Sequence, residues 1–214
     1  EERRNNKTTP FEMVLLYVSN IMSKFMFEKN VSGIVGLTMI TSTLFADSRG
    51  YFMESYNENE FEEQGLRIHF VQDNQSLSKK GVLRGLHFQR QYPQAKLIRA
   101  ASGSFYSVVV DLRKGSKTFG QWYGTFLSDK NKKQIFVPAG LAHGFLALED
   151  NTIFSAKVTD YQYKEFADGL IWNDPDLGIE WPLDLLDGVK IIQSEADKNR
   201  MKLAELIINK RLPI

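Results

Sequence analysis

Ser104-Phe105-Tyr106-Ser107-Val108-Val109-Val110-Asp111, followed by the polar turn Arg113-Lys114-Gly115-Ser116-Lys117 and then by Gly120-Gln121-Trp122-Tyr123-Gly124-Thr125-Phe126-Leu127, is the stretch that decides the fold. Aromatic and β-branched residues dominate both arms, and a charged, glycine-bearing turn separates them, so the stretch reads as a β-hairpin. Outward from it, further strands are predicted at Leu66 to Gln72, Lys96 to Ala101, Gln134 to Val137, Gly144 to Leu148 and Ile153 to Thr159. From Val31 onward no long helical repeat of apolar positions interrupts this pattern until the C-terminal end. Many short strands separated by turn formers predict a sandwich or barrel. Glu195 to Asn209 then sets Ala196, Met201, Leu203, Leu206 and Ile207 in a helical rhythm among charges, which predicts one C-terminal helix packed on the outside.

The chain has 214 residues, of which 43% are hydrophobic, enough for one well-buried domain. Lysine and arginine together number 27 against 26 aspartate and glutamate, so no broad nucleic-acid footprint is expected. Cysteine is absent, which excludes disulfides and thiolate metal sites and fits a reducing, cytoplasmic setting. Residues 1–30 read differently: a charged opening precedes an apolar run from Phe11 to Met22 that Glu12, Ser19 and Asn20 interrupt. That run is too short to span a bilayer and lacks a signal-peptide cleavage pattern. It is expected to be an N-terminal extension or short amphipathic helix ahead of a domain at 31–214, with no membrane partner.

The chemistry concentrates in KKGVLRGLHFQRQYPQAK, residues 79–96, where Arg84 and Lys96 flank His87. An imidazole accepts and returns a proton near neutral pH, which makes His87 the best base in the chain. The bland alternative is a buried, hydrogen-bonded structural histidine. Strand alternation places Arg84 and His87 on opposite faces unless the chain bends. In IFVPAGLAHGF, residues 135–145, a Pro/Gly turn leads to His143, which either assists a reaction or satisfies a backbone carbonyl. His69, within Arg67-Ile68-His69-Phe70, reads as structural. Three histidines with no His-x-His pair and no cysteine are a poor ligand inventory, so no metal is expected. Neither GxGxxG nor GxxxxGK[ST] occurs, so any phosphate must meet scattered guanidinium groups such as Arg49, Arg67, Arg84 and Arg99.

FADSRGYFMESYN (45–57), FVQDNQS (70–76), GVLRGLHFQ (81–89), QAKLIRA (94–100), VDLRKGSKTFGQW (110–122), IFVPAGLAHGF (135–145) and IWNDPDLGIEWP (171–182) together resemble the dTDP-4-dehydrorhamnose 3,5-epimerase family, in order, over about residues 31 to 197. The resemblance implies an all-β jelly-roll or cupin β-sandwich with a few peripheral helices, assembled as a homodimer. It implies action on the nucleotide-sugar dTDP-4-dehydro-6-deoxyglucose, whose C3 and C5 protons are removed beside the C4 ketone and returned on the opposite face, with no cofactor. Carried over by matching position, His87 is the base, Asp197 its orienting carboxylate, Lys96 the cation beside the developing enolate, and His143 a second active-site histidine. The Asp197 match is loose, since QSEAD stands where the family has Leu-Ser-x-Lys-Asp. Arg49, Phe52, Glu54, Gln72, Asn74 and Arg84 fall on positions that contact the base, sugar or diphosphate, some of them across the dimer. The sequence departs from the family at Ala156 and Gln162, which replace tyrosines, one of them the acid for the opposite face. That departure motivates two alternatives: a single-centre epimerase of another nucleotide-sugar, or a non-catalytic nucleotide-sugar binder.

Overall fold

A computed structural model describes residues 24–214; the Phe11 to Met22 run, with its amphipathic-helix reading, lies outside the described residues. In chain order the strands are β1 (Phe25–Lys29), β2 (Thr38–Ser42), β3 (Phe45–Asp47), β4 (Gly50–Phe52), β5 (Gln72–Ser78), β6 (Leu83–Gln89), β7 (Lys96–Ser102), β8 (Ser104–Asp111), β9 (Trp122–Ser128), β10 (Lys133–Val137), β11 (Leu141–Ala147), β12 (Thr152–Val158) and β13 (Ala167–Gly169). The helices are short: α1 (Glu58–Glu63), α2 (Glu195–Lys198) and α3 (Leu203–Ile208). The chain divides into two compact units, residues 42–67 with 24–26, and residues 27–41 with 68–214.

The larger unit is the expected sandwich of the jelly-roll class. One sheet has the order β1-β2-β10-β7-β12-β5 and the other β13-β6-β11-β8-β9. Ile98, Ile135, Val137, Phe105, Val109, Leu127, Phe145 and Ala156 come from both sheets and fill the space between them. The strand that decides the fold, β8, is buried on both faces: Phe105 and Val109 point into that interior, while Val108 and Val110 join a second cluster with Leu86, Leu146, Trp181 and Leu206 on the outer side. Double burial explains why Val108-Val109-Val110 runs continuously apolar where a half-exposed strand alternates. The predicted hairpin forms with Ser104 opposite Ser128 and Val110 opposite Trp122.

The smaller unit holds the β3–β4 hairpin, with Phe45 opposite Phe52. Helix α1 begins at Asn57, whose side chain accepts from the Glu60 N–H at 3.3 Å, satisfying one of the free donors of the first turn. Phe61 is buried against Phe25 and Tyr56, ring centroids 5.3 Å and 4.9 Å away.

Two sequence expectations are corrected. Leu66 to Val71 is not a strand, and His69 is exposed on irregular backbone; the strand is β5, Gln72–Ser78. It sits at a sheet edge and is mostly exposed, so QDNQSLS lacks the apolar signature that marks an interior strand. The single C-terminal helix is two, because the chain between them extends to place Met201 in a bridge with Leu170 and to give the Leu203 N–H to Asp174 Oδ2 at 2.7 Å. Leu206 on α3 packs against the outer face, as the pattern required.

Candidate active site

A cleft of about 430 Å³ opens between the two sheets, lined on one wall by Arg84, His87, His143 and Phe145, and on the other by Asn74, Ser76, Lys96, Phe154, Ala156 and Val158. The first wall depends on an irregularity in β6. His143 pairs with His87 and Phe145 with Arg84, so β6 spends three residues where β11 spends two. The extra residue is a β-bulge, and it restores Arg84 and His87 to one face against simple alternation. Gly85 makes it possible: its φ is +119°, and a Cβ there would lie 2.4 Å from Gly144 Cα and 2.9 Å from the His143 carbonyl oxygen.

His87 Nε2 and Asp197 Oδ1 are 2.6 Å apart. The Asp197 side chain is 6% exposed and that of His87 42%, so the carboxylate is shielded while the imidazole meets the cleft. Burial pushes the Asp197 carboxyl up, but the hydrogen bond and charge of His87, with Ser194 and the Gly85 N–H, outweigh it and hold the group below the usual carboxylate value. Ser194 caps α2 by accepting from the Asp197 N–H at 3.1 Å, which fixes the carboxylate at the start of that helix. Arg200 Nε lies 3.6 Å from the same Asp197 oxygen. An ionised Asp197 accepting from Nε2–H fixes the imidazole tautomer and leaves the lone pair on Nδ1 free to take a proton.

Lys96 reaches in from β7, its Nζ donating to the His87 carbonyl oxygen at 3.4 Å. Burial pushes its ammonium down to about 8. His143 shares a 3.0 Å hydrogen bond with Ser107 Oγ and stacks on Phe154. Burial, then the charges of Lys96 and His87, push its imidazole well below the usual histidine value, so it is neutral at pH 7. Among the described residues no group of three His, Cys, Asp or Glu side chains converges as a metal site, and no helix is long and apolar enough to cross a membrane.

Arg84, His87, Lys96, His143 and Asn74, all singled out from sequence, thus line one cleft, and Asp197 touches it through His87. Gln72 bonds Asn74, with Nε2 donating to Oδ1 at 2.6 Å. Arg84 is tied to β5, donating to Ser78 Oγ at 3.2 Å. Arg49, Phe52 and Glu54 belong to the other unit, where Arg49 pairs with Asp47 at 2.6 Å and Glu54 accepts from Lys24 and from Asn57. Sequence reasoning missed Ser76, Phe154, Gln89, Asp168 and Arg200. Ser76 and Phe154 were readable as the positions on β5 and β12 that share a face with Asn74 and Ala156, whereas Arg200 carries no local signal.

A sandwich whose cleft sets a carboxylate-backed imidazole beside a half-buried lysine defines a protein of the class that moves protons on a bound small molecule. The sequence pattern of dTDP-4-dehydrorhamnose 3,5-epimerases matches residues 32–205. A dTDP-4-dehydrorhamnose 3,5-epimerase of Methanothermobacter thermautotrophicus is 49% identical over 184 residues, 86% of this chain and 97% of that one. The Legionella pneumophila dTDP-6-deoxy-D-glucose-3,5-epimerase, solved in complex with dTDP-4-keto-L-rhamnose, superposes with a TM-score of 0.80 at 41% identity, covering 88% of this chain and 97% of that one. A 3'-monoepimerase of Streptomyces bikiniensis, solved with dTDP-quinovose, gives 0.77 at 30% identity, covering 84% and 89%. The chain belongs to the dTDP-4-dehydrorhamnose 3,5-epimerase family.

Proposed function

We propose that the chain is an isomerase that epimerises dTDP-4-dehydro-6-deoxyglucose at C3 and C5. The observation that carries this reading is the 2.6 Å His87–Asp197 contact at the edge of a cleft that Lys96 enters from the facing sheet. His87 takes the proton beside the ketone, Asp197 holds its tautomer and balances the imidazolium, and Lys96 stabilises the charge that develops on the ketone oxygen. Neutral His143 donates or accepts within the same cleft without adding charge. Arg49, Phe52, Glu54, Gln72, Asn74 and Arg84 hold the nucleotide, diphosphate and sugar, some of them across a homodimer. The reading includes a cupin-type sandwich and a cytoplasmic location, which the absence of cysteine supports. It keeps residues 31–214 as the catalytic domain and residues 1–30 as an extension, the end of which adds β1 to the larger sheet.

One observation favours a second reading. Ala156 and Gln162 line the cleft, so neither offers a phenol to return a proton. Inversion at one carbon only, or binding without reaction, is the second reading that this composition raises.

Incubation with dTDP-4-dehydro-6-deoxyglucose in deuterated water, followed by NMR of the C3 and C5 protons beside a His87→Ala control, tests the proposal. Exchange that needs His87, with inverted product, is the expected result; binding without exchange refutes it and leaves a binder.

A further inference from the structure

Inversion at carbon takes a proton from one face of the sugar and delivers one to the other. The two walls of the cleft are therefore chemically distinct stations, and the strand registers identify what each wall holds. Asn74 pairs with Ala156 and Ser76 with Phe154 across β5 and β12; Ala156 pairs with Ile98 and Val158 with Lys96 across β12 and β7. The lining of this sheet is thus an amide, a hydroxyl, Phe154, Ala156, Val158 and Lys96, whose ammonium extends from β7 across the cleft to within 3.4 Å of the His87 carbonyl oxygen. Alcohols, amides and hydrocarbon do not release protons near neutral pH; an ammonium in a low-polarity site does. Gln94 and Gln162, which also line the cleft, add only amides.

Resting on the epimerase reading above, we propose that Lys96 is the proton donor to the sugar face turned away from His87, in addition to balancing charge on the ketone oxygen. C3 and C5 both neighbour C4, so a donor hydrogen-bonded to the C4 oxygen is equally placed for either carbon. In the first half-reaction a C–H bond breaks, its electrons enter the enolate, and the proton goes to His87. In the second, an N–H bond of Lys96 breaks, a C–H bond forms on the opposite face, and the enolate collapses to the ketone. The imidazolium then loses a proton to water and the neutral amine gains one, which restores both groups with no net change.

The groups that face Lys96 suit the role. His87 and Arg84 lie on β6, His143 on β11, Asp168 on β13, and Arg200 between the two C-terminal helices. Asp168, the one carboxylate among them, already accepts from Arg211 Nε at 2.7 Å, with Arg90 at 3.4 Å. Lys96 is therefore left without a carboxylate partner of its own, and burial pushes it down to about 8, close to the range in which an acid is most effective.

Lys96→Arg keeps the charge but holds its proton far above neutral pH. In deuterated water this variant is expected to keep exchanging the C3 and C5 protons while inverted product falls about 10²-fold or more. An unchanged ratio of inversion to exchange overturns the proposal and assigns the donor to water or another group. Should Lys96→Arg stop both processes, the unmodified chain decides: the ratio falls as pH rises through about 8 if Lys96 donates, and a ratio independent of pH overturns it. Exchange without inversion in the unmodified chain also overturns the donor assignment while leaving His87 as base. Absence of exchange there refutes the epimerase reading itself, so the two failures are distinct.

Discussion

His87 depends on a partner that lies 110 residues away in sequence, and the pair has a direct experimental signature. Asp197→Asn keeps the size of the side chain but removes its charge, so the imidazolium that the proposed mechanism forms at His87 loses its counter-ion. Exchange in deuterated water is expected to slow by about 10²-fold or more with little change in the KM for substrate, since Asp197 is shielded and faces His87 rather than the cleft centre. Equal exchange rates in the variant and the parent chain would refute the pairing's role. At this scale much of the site was legible. His87, Lys96 and Arg84 sit together in one stretch whose residue types announce acid–base chemistry. Asp197 was reachable only through family resemblance, because no local pattern distinguishes it from the other acids around it. Ser107, which holds His143, was hidden as well, since a hydroxyl on a strand gives no sign of which buried ring it meets.

Period-2 alternation predicts most strands and fails at β6, on the wall of the candidate site. The bulge at Gly85 brings Arg84 and His87 to one face, and the glycine in the sequence hinted at it without fixing its direction. Gly85→Ala forces a Cβ into the Gly144 backbone and requires a side chain at φ +119°. The backbone conformation alone costs about 1–3 kcal/mol, and relief requires β6 to straighten, which turns His87 from the cleft. A lowered Tm together with lost exchange is the expected outcome of thermal melts and the deuterium assay; a fully active, equally stable variant would show that the bulge does not set the site. The C-terminal helices teach a related lesson. Apolar spacing from Ala196 to Ile207 suggested one helix, but the Met201 bridge to Leu170 and the bond to Asp174 reward an extended break between them, and tertiary partners of this kind leave no periodic trace.

For the whole molecule, the short strands and turn formers were enough to read a sandwich, whereas the separate unit at 42–67 was invisible because its composition matches the rest. Stability of the sandwich is tied to pH through Asp111, buried at the end of β8. Burial pushes its carboxyl up, but bonds from Arg113, Ser116 and Thr118 outweigh this and hold it well below its ordinary value of 3.8. The folded carboxyl thus binds its proton less readily than the unfolded one. Its contribution is complete above pH 3.8 and is lost as pH falls toward the lower folded value. Asp111→Asn is expected to cost about 1.5–3 kcal/mol at pH 7 and to flatten the acid limb of a denaturant-melt series; an unaltered acid limb would place the dependence elsewhere. The two-walled cleft has a further consequence, for ancestry. On the proposed mechanism, proton abstraction belongs to β6 and α2, and the other wall of the cleft to β5, β7 and β12. On the proposed mechanism a lineage could therefore alter the handedness of its product by editing that second wall, at Lys96 or beside it at position 156, and leave the dyad untouched.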